Sequence, residues 1–155
     1  MNHFERLESE ACEDGVDVVD CSFESDKIKG LYCDCVIGIN KKLSHSEKAC
    51  ILAEELGHHY TSSGIILDQS KVENRKQEYA ARLYAYKKMI TLDKLVFARR
   101  NGCRNRFEIA EFLEVTEDFL QSAIDSYKNI YGSGYHQHGD YLICFEPLNV
   151  YRIAE

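Results

Sequence analysis

The order of strand-like and helical segments along the chain predicts an α+β fold. One short helix is followed by strand-like segments, then by a run of helices, and finally by another strand-like segment near the end. The chain has 155 residues, of which 45% are hydrophobic and 29% are charged, as in one globular domain with a buried core. We expect a single domain with a core over residues 1–90, a helical subdomain over 91–132, and a C-terminal strand and tail over 133–155.

The first 41 residues predict a short helix followed by a small, mostly antiparallel sheet. The helix is expected from Asn2 to Glu13, because Gly15 follows it. Residues 16–23 are rich in valine and favour a strand. Residues 28–41 predict a hairpin that turns near Asp34.

Capping patterns mark the starts of two longer helices. Ser44 and Glu47 form a capping box before a helix that should run to Thr61, with Gly64 completing its end. A second capping box at residues 70–73 predicts a helix that runs to about Ile90.

Three shorter helices and a strand complete the expected order. The residues that should begin these helices are Thr91, Asn105 and Thr116. Tyr141 to Phe145 predicts a final strand, which Pro147 should stop.

Charge and composition exclude several classes of protein. A net charge of -7 argues against direct nucleic-acid binding, because phosphate contacts need a basic surface. No run approaches the roughly 18 apolar residues of a membrane helix, and the polar N-terminus is unlike a secretory signal. An odd count of seven cysteines fits reduced thiols, so we expect a cytoplasmic protein.

The segment Ala53-Glu54-Glu55-Leu56-Gly57-His58-His59 differs by one residue from H-E-x-x-H, the helical signature of zinc proteases. Glu54 and His58 are four residues apart on a helix, so both can face one metal ion. Glu55 then stands where a general base polarises water. An apolar helix around these residues, and a glycine inside it, indicate that something packs close to the backbone.

A third ligand has to come from another element, and Glu78 on the next helix is the candidate. Ala81 and Ala85 follow Glu78 at helical spacing, which would let the two helices approach closely. The alternative is that the acidic pair and the histidine form only a solvated helix face. If Glu55 and His59 were the ligands instead, Leu56 would occupy the base position and could not accept a proton.

These residues resemble the ImmA/IrrE family of metallopeptidases. That family has H-E-[LIF]-G-H and then E-x-x-A-N-x-F-A on the next helix. Here Glu54-Glu55-Leu56-Gly57-His58 and Glu78-x-x-Ala81-x-x-Tyr84-Ala85 are similar to those two patterns. The resemblance implies a zincin-like core, metal ligands at Glu54, His58 and Glu78, and Glu55 as the catalytic base.

Departures from the pattern bear on the metal and on its neighbourhood. Glu54 replaces the first histidine, and Arg82 replaces the asparagine. A Glu/His/Glu set is harder and more anionic than one with two histidines, so Mn²⁺ or Fe²⁺ becomes an alternative to Zn²⁺. The resemblance also implies a substrate, a helix-turn-helix repressor of a prophage or integrative element, whose cleavage relieves repression. The alternative is an inactive or catalytically weak protease-fold protein that binds a regulatory partner stoichiometrically.

Two further segments carry open interpretations. His136 and His138 precede the last strand and could belong to a solvated loop, bind a metal, or stabilise an oxyanion, a role for which Tyr60 is another candidate. Under the preferred alignment His59 does not bind the metal, and it either lies just outside the ligands or is exposed to solvent. Residues 107–124 match a helix-turn-helix in outline, but the second helix begins with Glu117 and Asp118, which repel phosphate.

Overall fold

The computed structural model describes residues 1–61 and 71–153, and it confirms the α+β class. Contacts divide the chain into two compact units, Met1–Lys88 and Met89–Glu155. In chain order the elements are α1 (His3–Glu13), β1 (Asp17–Cys21), β2 (Gly30–Cys33), β3 (Val36–Asn40), α2 (His45–Thr61), α3 (Lys71–Met89), α4 (Leu92–Arg100), α5 (Arg106–Leu113), α6 (Glu117–Tyr131), β4 (Tyr135–His138), β5 (Tyr141–Phe145) and β6 (Leu148–Arg152).

The N-terminal sheet is mixed, so the expectation of an antiparallel sheet was wrong for one of its two strand pairs. The strand order is β1-β3-β2. β2 and β3 form the expected antiparallel hairpin, which turns through Asp34 and Cys35. β1 pairs with β3 in parallel, because the chain crosses from β1 to the far edge before the hairpin returns to the centre. Strand segments read one at a time do not reveal such a crossover.

Local signals place the first two helices as expected. The Asn2 side chain accepts a hydrogen bond from the Glu5 amide at 2.9 Å, and the Glu5 carboxylate accepts one from the Asn2 amide. Ser44 and Glu47 form the same reciprocal capping box before α2. The predicted end at Gly64 and the capping box at residues 70–73 lie outside the described residues and side chains.

Helix α2 is the centre of the first unit, since α1, β2 and β3 all contact it. Its buried side includes Leu52, Ala53 and Leu56, while Ile37 and Ile39 of the central strand are fully buried. Removing these aliphatic side chains from water is the main driving force for docking the helix on the sheet.

In the second unit, the three predicted N-caps are confirmed. The side chains of Thr91, Asn105 and Thr116 each accept a hydrogen bond from the amide three residues later. α4, α5 and α6 follow these caps directly. The side-chain oxygen thereby satisfies one of the amides that a helix start leaves unpaired.

The C-terminal region forms a three-stranded antiparallel sheet of order β4-β5-β6, so the expectation of a single final strand was wrong. β5 matches the predicted strand at Tyr141–Phe145. Pro147 lies in the short turn between β5 and β6, where a missing amide hydrogen costs no ladder bond. The segment with His136 and His138 is strand β4, not a loop.

Within residues 1–61 and 71–153, no helix is both long and apolar enough to cross a bilayer.

Helices α2 and α3 approach to backbone distance at one point. A Cβ atom built on Gly57 would collide with the backbone of Ala81, including its carbonyl oxygen. Both residues are buried, and Ala81 is fully buried. The close approach that Gly57 and the small residues of the next helix predicted is therefore confirmed.

Replacing Gly57 by alanine should destabilise the protein by about 2 kcal/mol or more, because backbone must move to admit one methyl group. The better helix propensity of alanine, worth about 1 kcal/mol, offsets only part of this cost. Urea unfolding of Gly57→Ala would measure the change. Gly134→Ala is the control, since nothing lies within 4 Å of a Cβ there. Equal stability of Gly57→Ala and the wild type would contradict the close approach.

Candidate metal centre

The residues of the E-E-L-G-H segment lie in the second half of α2. Glu54 and His58 are one helical turn apart, and both are half-buried. Glu55 is half-buried as well. The flanking residues Ala53, Leu56 and Gly57 are buried, so this part of the helix cannot rotate to expose the polar side chains fully to solvent. A wholly solvated face, the alternative that the sequence left open, therefore does not describe them.

Glu78 of α3 meets His58. The Nε2 atom of His58 lies 3.4 Å from Oε2 of Glu78. Arg82 sits one turn after Glu78, with its Nε atom 3.8 Å from Oε1 of the same carboxylate. Glu78 is thus shared between an imidazole and a guanidinium. The contact of His58 with Glu78 is the approach that two ligands of one ion would need.

Burial and neighbouring charges act together on Glu54. Burial raises the pKa of the Glu54 carboxyl above its ordinary value, and the negative charges of Glu55 and Glu78 raise it further. The positive charge of Arg82 is the strongest influence in the opposite direction on this pKa, and His58 adds to it. Glu54 is therefore an electrostatic neighbour of both His58 and Glu78.

Glu55 has a similar environment and one additional contact. Burial is the main cause that raises its pKa, and the charge of Glu78 adds to it. His58 and a hydrogen bond from the backbone of Tyr32 lower the same pKa. Gly30 lies alongside, since a Cβ atom there would be 3.4 Å from Cγ of Glu55. The edge strand β2 therefore lies beside the Glu55 side chain.

Sequence reasoning missed Tyr32, which also holds His59. The Tyr32 hydroxyl lies 2.7 Å from Nδ1 of His59, and the two rings meet edge to face. Alternation along β2 could have revealed it, because Gly30 and Tyr32 share one face of the strand. His58 and His59 thus have different partners, Glu78 for the first and Tyr32 for the second.

Of the other candidate residues, Tyr60 lies in the same unit. Its hydroxyl donates to the Asp14 carboxylate, and that bond is the main reason why the pKa of Tyr60 is raised. Its ring also lies at a tilted angle to the ring of Tyr84, with centroids 5.3 Å apart. The hydroxyl contact joins α2 to Asp14 at the end of α1, and the ring contact joins α2 to α3. An oxyanion role for Tyr60 stays a prediction.

His136 and His138 belong to the second unit and have partners there. Nε2 of His138 lies 2.6 Å from a carboxylate oxygen of Asp93. The His136 ring lies against Tyr131, with centroids 4.2 Å apart. Their predicted metal or oxyanion roles stay predictions.

The side chains of the site are of the chemical types that bind a divalent cation, but they are not arranged around one point. Carboxylate oxygens and an imidazole nitrogen are ligands of Zn²⁺, Mn²⁺ and Fe²⁺. His58 and Glu78 are in contact, and the charges of both act on Glu54. Among the described residues, however, no three His, Cys, Asp or Glu side chains are arranged to hold one ion. His58 and Glu78 are therefore in contact, with Glu54 within electrostatic range of both, but the three side chains do not form a coordination set.

Comparison with known proteins identifies the class. The sequence profile described as the IrrE N-terminal-like domain, a peptidase family, matches residues 12–125. The matched region includes α2 and α3, the two helices that carry the candidate site. The match supports a metallopeptidase type of function for this chain. The chain belongs to this family, and the resemblance to ImmA/IrrE proteins is confirmed. Searches of curated proteins and of solved structures gave no significant match.

Replacing Glu54 by glutamine should stabilise the metal-free protein at pH 7. The folded-state pKa of Glu54 is raised above its ordinary value of 4.5, so the stability tied to this group is complete below that value. It is lost as the pH rises through the folded-state pKa, where a buried negative charge appears. The benefit of Glu54→Gln should therefore vanish at pH 4.

Urea midpoints at pH 4 and pH 7, measured after chelation and desalting, would test this sign. Glu24→Gln is the control, because Glu24 is exposed. A stability gain of the same size at both pH values would contradict the explanation by burial.

Proposed function

We propose that this protein is a metal-dependent, site-specific endopeptidase. The observation that carries the proposal is the contact between His58 and Glu78 beside the half-buried Glu55, in a chain of a metallopeptidase family. Glu54, His58 and Glu78 would hold the cation. Zn²⁺ is the first candidate, with Mn²⁺ or Fe²⁺ as alternatives for so anionic a set.

The residues of the chain have separate tasks in peptide hydrolysis. A divalent cation would supply Lewis acidity to water and to the substrate carbonyl. The Glu55 carboxylate accepts a proton from the attacking water and returns it to the nitrogen of the leaving amine. The raised pKa of Glu55 suits this role, because a carboxylate that holds a proton more strongly is a better base near neutral pH. A hydrogen bond from the backbone of Tyr32 lowers the pKa of Glu55 and would help to orient its carboxylate.

Two carboxylate ligands should make the reaction slow and selective. Each anionic ligand reduces the positive charge that the cation presents to substrate. We therefore propose cleavage of one regulatory protein rather than general digestion. The proposed substrate is a helix-turn-helix repressor of a prophage or integrative element, met in the cytoplasm, where cleavage relieves repression.

Replacing Glu55 by glutamine should abolish cleavage of the substrate while leaving the fold and metal binding in place. Glutamine has nearly the same shape but cannot accept the proton, so a loss of at least about 100-fold is expected. Co-expression with candidate repressors, scored for a new fragment on a gel, would measure it. Glu24→Gln should cleave like the wild type. A fragment of undiminished yield from Glu55→Gln would refute the role of Glu55.

A second candidate function follows from the contacts of Glu78. Its carboxylate contacts His58 and Arg82, and such a network can hold the two helices together without binding a metal. The protein would then keep the peptidase fold and bind a regulatory partner stoichiometrically, without a metal.

Metal content and its effect on stability separate the two candidates. An endopeptidase should purify with about one equivalent of a transition metal. Its melting temperature should fall on chelation by several degrees, because a ligand that binds only the folded state stabilises it. Elemental analysis and a thermal melt with and without chelator would measure both. A stoichiometric binder should contain no metal and should melt unchanged.

A further inference from the structure

The site has more negative than positive charge, and Arg82 supplies its fixed positive group. Glu54, Glu55 and Glu78 are three carboxylates within one electrostatic neighbourhood. His58 contributes a full positive charge only when protonated, whereas an arginine remains charged at every ordinary pH. Arg82 contacts Glu78, and its charge is the strongest of the influences that lower the pKa of Glu54. Arg82 is neither one of the proposed metal ligands nor the proposed base.

Arg82 and a divalent cation would compete for the same carboxylate. One oxygen of Glu78 lies by the imidazole of His58, and the other lies by the guanidinium of Arg82. A cation held by Glu78 and His58 would bring a second positive charge close to the guanidinium. The two positive groups repel each other, and both draw on the same negative charge.

We propose that Arg82 is a built-in counter-ion of the ligand set, which holds Glu78 in the metal-free protein and lowers the affinity of the site for a divalent cation. This inference rests on the proposed metal-dependent function. It assigns to Arg82 the regulation of metal loading, with no part in the chemical step. The metal-free protein then remains folded and able to bind the cation when it becomes available.

Because Arg82 and Glu78 are both half-exposed, their ion pair should affect cation binding more than the stability of the fold. The side chains of Arg82 and Glu78 are 56% and 49% exposed, so their ion pair by itself stabilises the fold little. The effect on cation binding is larger, because a divalent ion interacts twice as strongly with the guanidinium charge as a monovalent ion does. Salt should weaken this effect, since half-exposed charges are screened.

Replacing Arg82 by glutamine should raise the affinity for Zn²⁺ and Mn²⁺, each tested alone, by roughly tenfold at low salt. Arg82→Lys keeps the charge and should bind like the wild type. Lys87→Gln removes an equal charge from an exposed position of the same helix and is the matched control. Calorimetric titration of chelated protein gives the dissociation constants. A thermal melt adds a second readout, in which the metal-induced rise of melting temperature should be larger for Arg82→Gln.

Each outcome has one meaning. Tighter binding by Arg82→Gln alone, with a difference that shrinks in 0.5 M salt, supports the counter-ion. Unchanged binding by this variant overturns the counter-ion and leaves the proposed metal site standing. Weaker binding also overturns it, because Arg82 would then position Glu78 for the metal. Absence of binding in wild type and variants alike overturns the proposed function together with the counter-ion.

Discussion

Helices α2 and α3 touch at backbone distance, and the candidate site depends on that contact. Gly57 leaves room for the backbone of Ala81, and any side chain at position 57 would force the helices apart. His58 is the next residue after Gly57, and Glu78 lies three residues before Ala81, almost one helical turn. The same contact that closes the core therefore brings the imidazole and the carboxylate to 3.4 Å. Gly57 costs its own helix some stability, but it allows the close packing that puts His58 next to Glu78.

Electrostatics explains why this helix pair needs positive partners. Burial alone makes ionised Glu54 and Glu55 costly, and the Glu78 charge adds to that cost. His58, Arg82 and the Tyr32 backbone work in the opposite direction, each on one or both of the two carboxyls. A divalent cation would neutralise the cluster more completely than these groups do. The residual negative charge of the cluster is thus what a metal would bind to, and the half-exposed Arg82 neutralises part of that charge.

Local signals predicted the elements well and their pairing less well. Asn2, Ser44, Thr91, Asn105 and Thr116 all cap helices, because a cap is a contact between residues three apart in sequence. The parallel pairing of β1 with β3 was missed, since it joins strands separated by a whole hairpin. β4 and β6 were missed because each is four or five residues long and is stabilised through the central strand β5. For the site, the sequence indicated the apposition of His58 and Glu78 but not the contact of Tyr32 with His59.

The order of residues alone specifies which side chains are available for chemistry and how they are spaced along one helix. The spacing of Glu54, Glu55 and His58 is a property of any α-helix, and the family match over residues 12–125 follows from the same string of residues. Which partner each side chain has depends on the packing of the whole unit: Glu78 for His58, Tyr32 for His59, and Arg82 for Glu78. Helical periodicity is set by neighbouring backbone bonds, whereas the distance between two helices is set by side-chain volume and burial across the whole unit.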